Sequence, residues 1–201
     1  MESAPSPLIG CVVRLEPLAE HHREGLRAAC DADRAVFDEW YPVPMYGPHL
    51  DDWWAVTAAE QASGRRIAYA GVLGGEVVGC SCFFRDPANR RTEIGNTYWR
   101  PDVRGGAVNP EAKRLMMEYA FTPGGLFPDG ALTVAYKVDA INVRSRAAVL
   151  KLGATFEGML RQDRITWTGR VRDTCFYSIL AEEWPAVRAG LDARLAGLCA
   201  P

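Results

Sequence analysis

Between Thr97 and Ala112 the chain reads TYWRPDVRGGAVNPEA, and its hydrophobic pattern changes character there. This junction constrains the fold more than any other stretch. Upstream, Ile67–Leu73, Glu76–Arg85 and Thr92–Arg100 read as strands, and Gly74-Gly75 between the first two is a hairpin turn signal. Downstream, Ala112, Leu115, Met116, Tyr119 and Ala120 recur at i, i+3, i+4, i+7 and i+8, which predicts a helix over 111–121. Asn109 suits its N-cap and Pro110 its first position. A meander strand therefore feeds a helix through a turn rich in glycine.

The rest of the chain extends this alternation. Residues 1–8 read as a loose tail, and 9–201 as one domain. Residues 9–15, IGCVVRL, read as a first strand, and 19–31 as a helix. Glu39–Trp54 carries three prolines, which forbid a continuous helix or central strand; a helix follows over about 50–63. After the junction come a loop at 122–130, a strand at 131–138 and a short helix over 142–152 that Gly153 stops. A hairpin over 155–166 and 171–180 turns at Thr168-Gly169, and 182–198 is a closing amphipathic helix. The class is α/β with a mixed, mostly antiparallel sheet.

Composition removes several functions. A formal charge of −2 argues against bulk nucleic-acid binding. No apolar run reaches the roughly 20 residues that span a bilayer. The first ten residues lack a basic and a long apolar region, so a cytoplasmic protein is expected. The six cysteines form no CxxC pair and read as reduced, buried thiols rather than zinc ligands. His21, His22 and His49 read as surface residues, and no GxSxG accompanies them. No metal is expected.

The chemistry gathers at the junction. Gly105, Gly106 and Ala107 leave their backbone N–H groups approachable, and the helix start adds unpaired donors and the positive end of its dipole. That combination suits phosphate or pyrophosphate, although a tight turn with no ligand has the same signature. Arg100 and Arg104 stand ready to add charge-assisted contacts. GxxxxGK[ST] is absent, and GGAVNP is not GxGxxG. Downstream, Asn142 ends a strand and caps the next helix, with Ser145 one turn along.

Taken together, these segments resemble the GCN5-related N-acetyltransferase (GNAT) superfamily, and within it the branch of ribosomal-protein N-terminal acetyltransferases. The resemblance is carried by RGGA at 104–107, NVRSRAAVLKLGA at 142–154, EGMLR at 157–161, TGRVRDTCFYSILAEEWP at 168–185 and VRLEPL at 13–18. It spans about residues 9–185. It departs from the family pattern at Asp102, where Gln or Arg usually begins the turn.

The resemblance implies a single-domain sheet splayed open between its fourth and fifth strands, with acetyl-CoA as co-substrate in the opening. The pyrophosphate would rest on Arg104, Gly105, Gly106, Ala107, Val108 and Asn109, and the thioester beside Tyr98, Trp99 and Arg100. Asn142 would contact the pantetheine arm or help place an ordered water, Ser145 would sit near the sulfur, and Arg146 and Lys151 would either reach CoA phosphates or stand as solvated helix charges. The implied reaction is direct transfer of acetyl to a primary amine, either a polypeptide N-terminus or a small molecule. Glu93 is the candidate base, sharing a face with Gly95, Thr97 and Trp99 by alternation, although a strand Glu paired with Arg90, Arg91 or another Arg reads equally from sequence. Ser145 is the candidate donor to the thiolate, ahead of Tyr177 and Tyr136. Trp40, Tyr41, Tyr46 and Trp54, with Trp53, form a candidate acceptor wall, to which Asp51 and Asp52 would draw a cationic amine. A non-catalytic acyl-CoA-binding module is the alternative, and the chain is expected to be a monomer or homodimer.

Overall fold

The computed structural model describes residues 5–198. The chain enters as a two-residue strand β1 (Leu8–Ile9) and turns back into β2 (Arg14–Pro17). The expected single strand over 9–15 is therefore a hairpin. Its cause lies far away in sequence: the Glu111 carboxylate accepts the N–H groups of Cys11, Val12 and Val13 at 2.9, 2.8 and 2.7 Å and pulls the chain into a turn. A Cβ at Gly10 would lie 2.3 Å from that carboxylate, so only glycine fits.

Three helices follow: α1 (Arg23–Asp31), α2 (Ala35–Trp40) and α3 (His49–Ala62). Pro42 and Pro44 lie in the irregular link between α2 and α3, as their chemistry requires. The meander is β3 (Arg66–Leu73), β4 (Glu76–Asp86) and β5 (Arg91–Trp99), with Gly74 and Gly75 at φ +59° and +86° in the first turn. Then come α4 (Val108–Phe121), β6 (Thr133–Asp139), α5 (Val143–Leu150), β7 (Thr155–Ile165), β8 (Val171–Leu180) and α6 (Trp184–Leu198).

The strands form one eight-stranded sheet in the order β1-β2-β3-β4-β5-β6-β8-β7. Every pair is antiparallel except β5 with β6. That parallel pair joins only Arg91, Thr92 and Glu93 to Thr133, Val134 and Ala135. Beyond Glu93 the two strands diverge, so the sheet is splayed where the fourth and fifth strands were expected to part.

Each face has its own core. One packs Ile94, Trp99 and Tyr136 against α4, α5 and α6 around Met116, Val149 and Leu191. The other packs Cys80, Cys82 and Tyr98 against α1, α2 and α3 around Leu26, Phe37 and Trp53. Cys30, Cys80, Cys82 and Cys175 are buried thiols, but Cys11 is exposed on the β1–β2 turn, and Cys199 lies outside the described residues. Among the described residues no helix is long and apolar enough to cross a membrane.

Candidate active site

The opening is made by a bulge. Cys82 pairs with Gly95 and Cys80 with Tyr98, so Asn96 and Thr97 together oppose Ser81. Asn96 adopts φ +47° to absorb the extra residue. The bulge reverses the alternation of β5. Glu93 and Gly95 lie with Phe84 on the α1–α3 face, whereas Trp99 packs in the α4 core. The expectation that Glu93 shares a face with Thr97 and Trp99 is corrected by this one inserted residue.

Past Trp99 the chain makes a short 3-10 turn at Pro101–Val103 and reaches Gly105 at φ +81°. Helix α4 begins at Val108, earlier than expected, with Ala107 rather than Asn109 as its N-cap. Asn109 instead accepts the indole N–H of Trp99 at 2.9 Å. That indole needs Gly71 beneath it, because a Cβ there would lie 2.3 Å from the ring. Trp99 thus fixes the start of α4 against the end of β5.

Ala107 has no side-chain cap to offer. The backbone N–H groups of Gly105, Gly106, Ala107, Val108 and Asn109 donate to no acceptor among the described residues. A Cβ built on Gly105 or Gly106 meets nothing within 4 Å. The result is an open row of donors at a helix start, which is a cradle for an anion.

Three neighbouring arginines are already engaged. Arg104 donates to the Trp99 carbonyl and to Asp33, both at 2.6 Å. Arg100 is paired with Asp102 at 2.7 Å and with Glu76 at 3.2 Å. Arg100 holds the Asp102 carboxyl below its ordinary range, so the unusual residue of the turn is an ion-pair partner. Arg146 donates to the Tyr177 hydroxyl and the Ala140 carbonyl at 3.0 and 3.1 Å, which ties α5 to β8.

Asn142 caps α5 by accepting the Ser145 N–H at 2.9 Å. Because β5 and β6 are parallel, the loops that follow them leave the sheet at the same edge. The N-termini of α4 and α5 therefore flank one crevice. Tyr136 stands on the splayed part of β6, buried, and its hydroxyl has no partner among the described residues. An open amide cradle, two helix starts and an orphaned hydroxyl fit a ligand with an anionic pyrophosphate and a polar arm.

Glu93 is held by Lys137 on β6 at 2.8 Å, not by Arg90 or Arg91. It lies ~13 Å along the strand from Thr97, at about 3.3 Å per residue. The aromatic segment divides. The Tyr41 hydroxyl donates to the Thr97 carbonyl at 2.5 Å and so reaches the bulge. Tyr46 joins Phe37 and His49, and Trp40 is half-buried at the end of α2. Trp53 is in the core, and Trp54 stacks under Arg23 on α3, apart from this cluster. Asp51 is bridged by Arg23 and Arg27 at 2.6 Å each, so its charge is already matched.

Sequence reasoning missed Trp167. It sits at the tip of the β7–β8 hairpin, donating its backbone N–H to Pro42 and its indole N–H to Phe37 at 3.2 and 3.1 Å. Its ring meets His49 and Tyr46. Arg170 reinforces the crossing through the Glu39 carbonyl and Asp139. The tip thereby clasps the α2–α3 link across the face of the sheet. Only its Trp-Thr-Gly turn composition was visible in the sequence.

One cluster has the geometry of metal ligands: Glu16, His21 and His22 bring ligand atoms within 4.8 Å of one another. His22, expected at the surface, is buried. Its Nδ1 accepts the Ala19 N–H at 3.1 Å, which places the ring proton on Nε2, 3.2 Å from Glu16. A proton thus stands where a metal would bind.

Residues 13–155 match the model of the acetyltransferase (GNAT) domain. A chain from T. thermophilus assigned as an acetyltransferase is 33% identical, with a TM-score of 0.80 over 97% of this chain and 100% of that one. A GCN5-related N-acetyltransferase from Brucella melitensis is 29% identical, with a TM-score of 0.85 over 98% and 88%. RimJ of Mycobacterium smegmatis, solved in complex with CoA-disulfide, shares the fold at 24% identity, with a TM-score of 0.77 over 92% and 90%. No curated protein matches the sequence.

Proposed function

We infer the reaction from one premise: the chain belongs to the acetyltransferase (GNAT) domain family and is an acetyltransferase. Acetyl-CoA supplies the activated acetyl group as a thioester, and a primary amine receives it. The observation that carries this reading is the open row of N–H groups from Gly105 to Asn109 beside the splayed β5 and β6. These amides and the α4 dipole hold the pyrophosphate. Backbone N–H groups of β5 beyond the bulge face the thioester carbonyl and stabilise the charge that develops on its oxygen.

The amine nitrogen attacks the carbonyl carbon, the C–N bond forms, and the C–S bond breaks. Glu93, with its carboxylate held by Lys137, takes the proton of the amine through water. Ser145, on the first turn of α5, donates to the departing thiolate. Tyr41, Tyr46 and Trp167 line the acceptor side, with Phe37 buried behind them. Because Trp167 clasps the α2–α3 link, the acceptor enters end-on, as a polypeptide N-terminus or a small amine does. The enzyme works in the cytoplasm as a monomer or homodimer, without a metal.

Calorimetric titration with acetyl-CoA and with desulfo-CoA tests the premise of the site. Saturable binding of both is expected, followed by amine-dependent thiol release across a panel of amines and N-terminal peptides. No binding at millimolar acetyl-CoA would refute the reading.

A further inference from the structure

Behind the bulge lies a lysine that the reaction as described does not use. Lys113 stands on the second turn of α4 and is 4% exposed. Its Nζ lies 2.8 Å from Ser81 Oγ and 2.5 Å from Thr97 Oγ1, and those two oxygens are 2.8 Å apart. Ser81 is the β4 residue that faces the bulge, and Thr97 is one of the two bulged residues. The amine thus closes a triangle across the irregularity that opens the sheet.

Among the described residues its hydrogen-bond partners are these two hydroxyls, and no carboxylate pairs with it. Burying an amine without a counter-ion is costly, and an apolar side chain of similar length would fill the same space more cheaply. What the apolar side chain would lack is donors. Meanwhile the Thr97 carbonyl is held by Tyr41 from α2's end of the chain. The bulged residue is therefore gripped at its side chain and at its backbone by two different elements.

We propose that Lys113 is a positioning residue for acetyl transfer: by holding Thr97 and Ser81 together it fixes the bulge, and with it the β5 backbone that faces the thioester carbonyl. Because the same helix carries the anion cradle at its N-terminus, Lys113 also sets the distance between pyrophosphate and thioester. This role rests on the acetyl-CoA reading above.

The test uses Lys113→Met, which keeps length and loses the donors, and Thr97→Val, which removes one acceptor at constant volume. Acetyl-CoA labelled with ¹³C at the carbonyl reports polarisation by its infrared stretch in the bound state. The unmodified protein lowers that frequency relative to free acetyl-CoA. In both variants the stretch moves back toward the free value, while affinity for desulfo-CoA, set by the cradle, stays within about threefold. With the amine that turns over best, kcat falls about 100-fold, the scale expected for a misplacement of about 1 Å. A folded Lys113→Met protein with the original stretch and kcat would overturn the proposal; if that variant does not fold, the same result with Thr97→Val overturns it. Failure of the unmodified protein to bind acetyl-CoA would instead remove the acetyl-CoA reading, and this role with it.

Discussion

Gly106→Leu separates the anion cradle from the fold that builds it. Gly106 is exposed, its φ lies outside the left-handed region, and an added Cβ meets no heavy atom within 4 Å. The substitution therefore costs no packing, and restricting the unfolded chain makes the protein slightly more stable, by about 0.4–1 kcal/mol. The side chain nevertheless occupies open space within the row of N–H groups. If it displaces two charge-assisted hydrogen bonds to phosphate, the loss is about 3 kcal/mol. That is about a hundredfold in Kd. The assay is calorimetric titration with acetyl-CoA and desulfo-CoA, paired with thermal unfolding of the unliganded protein. Both ligands should weaken equally, with Tm unchanged or raised. Gly105→Leu is the contrast: at φ +81° it should lose stability as well as affinity. An unchanged Kd in Gly106→Leu would show that the pyrophosphate does not lie on this turn.

Three further perturbations probe separate links. Glu111→Gln leaves buried N–H groups of the 10–13 turn facing an amide, and should cost about 3 kcal/mol; for a chain of this size that lowers Tm by roughly 6–12 °C, and a fall under 2 °C would refute the role of the carboxylate in bending the chain. Trp167→Ala releases the hairpin tip from Phe37 and should raise the KM of the amine about tenfold while leaving the Kd of acetyl-CoA unchanged; a change in acetyl-CoA affinity alone would place Trp167 on the wrong side of the cleft. Burial lowers the Lys113 ammonium from 10.5 to about 7. Above pH 7 the folded state has therefore released a proton that the unfolded state still holds, so stability rises with pH from 7 until the thiols of the unfolded chain, whose folded counterparts are pushed up by burial, titrate at about 8.5. Denaturant midpoints should show that rise, and Lys113→Met should flatten it.

Much of the fold was legible because it is written locally. Alternation marked β3, β4 and β5, the i, i+3, i+4 stripe marked α4, and Gly74-Gly75 marked the first hairpin. What escaped was written at long range. The β1–β2 hairpin depends on Glu111, about 100 positions away, and nothing near Cys11 announces it. The turn at Gly105 and Gly106 was readable as a glycine-rich helix entrance, and it is an open one. The arginines beside it were not: Arg104 belongs to Asp33 and Trp99, and Arg146 to Tyr177, contacts made only when α1, β5, α5 and β8 come together. Trp167 was invisible for the same reason, since its partner Phe37 lies 130 residues earlier. The face of Glu93 was misread because period-2 counting assumes an unbroken strand, and one bulge reverses every side chain beyond it.

The engaged arginines bear on how this crevice would bind the pyrophosphate proposed for it. In an antiparallel pair, successive strands leave the sheet at opposite ends, so the helices that follow them start at opposite edges. The β5–β6 pair alone is parallel, and each strand is followed by a helix. The starts of α4 and α5 are consequently brought to the same edge, and each presents the positive end of its dipole there. Two such ends, with unpaired N–H groups on one of them, supply positive potential without drawing on Arg100, Arg104 or Arg146. Arg100 and Arg104 are then available to stiffen the turn, and Asp102 can stand where a phosphate-binding side chain would otherwise be needed. The bulge completes the arrangement by parting β5 from β6 just beyond their third pair, so that the potential opens onto a slot rather than onto closed sheet. In the proposed reading, topology places the anion site, one inserted residue opens it, and side-chain charge serves to hold the geometry.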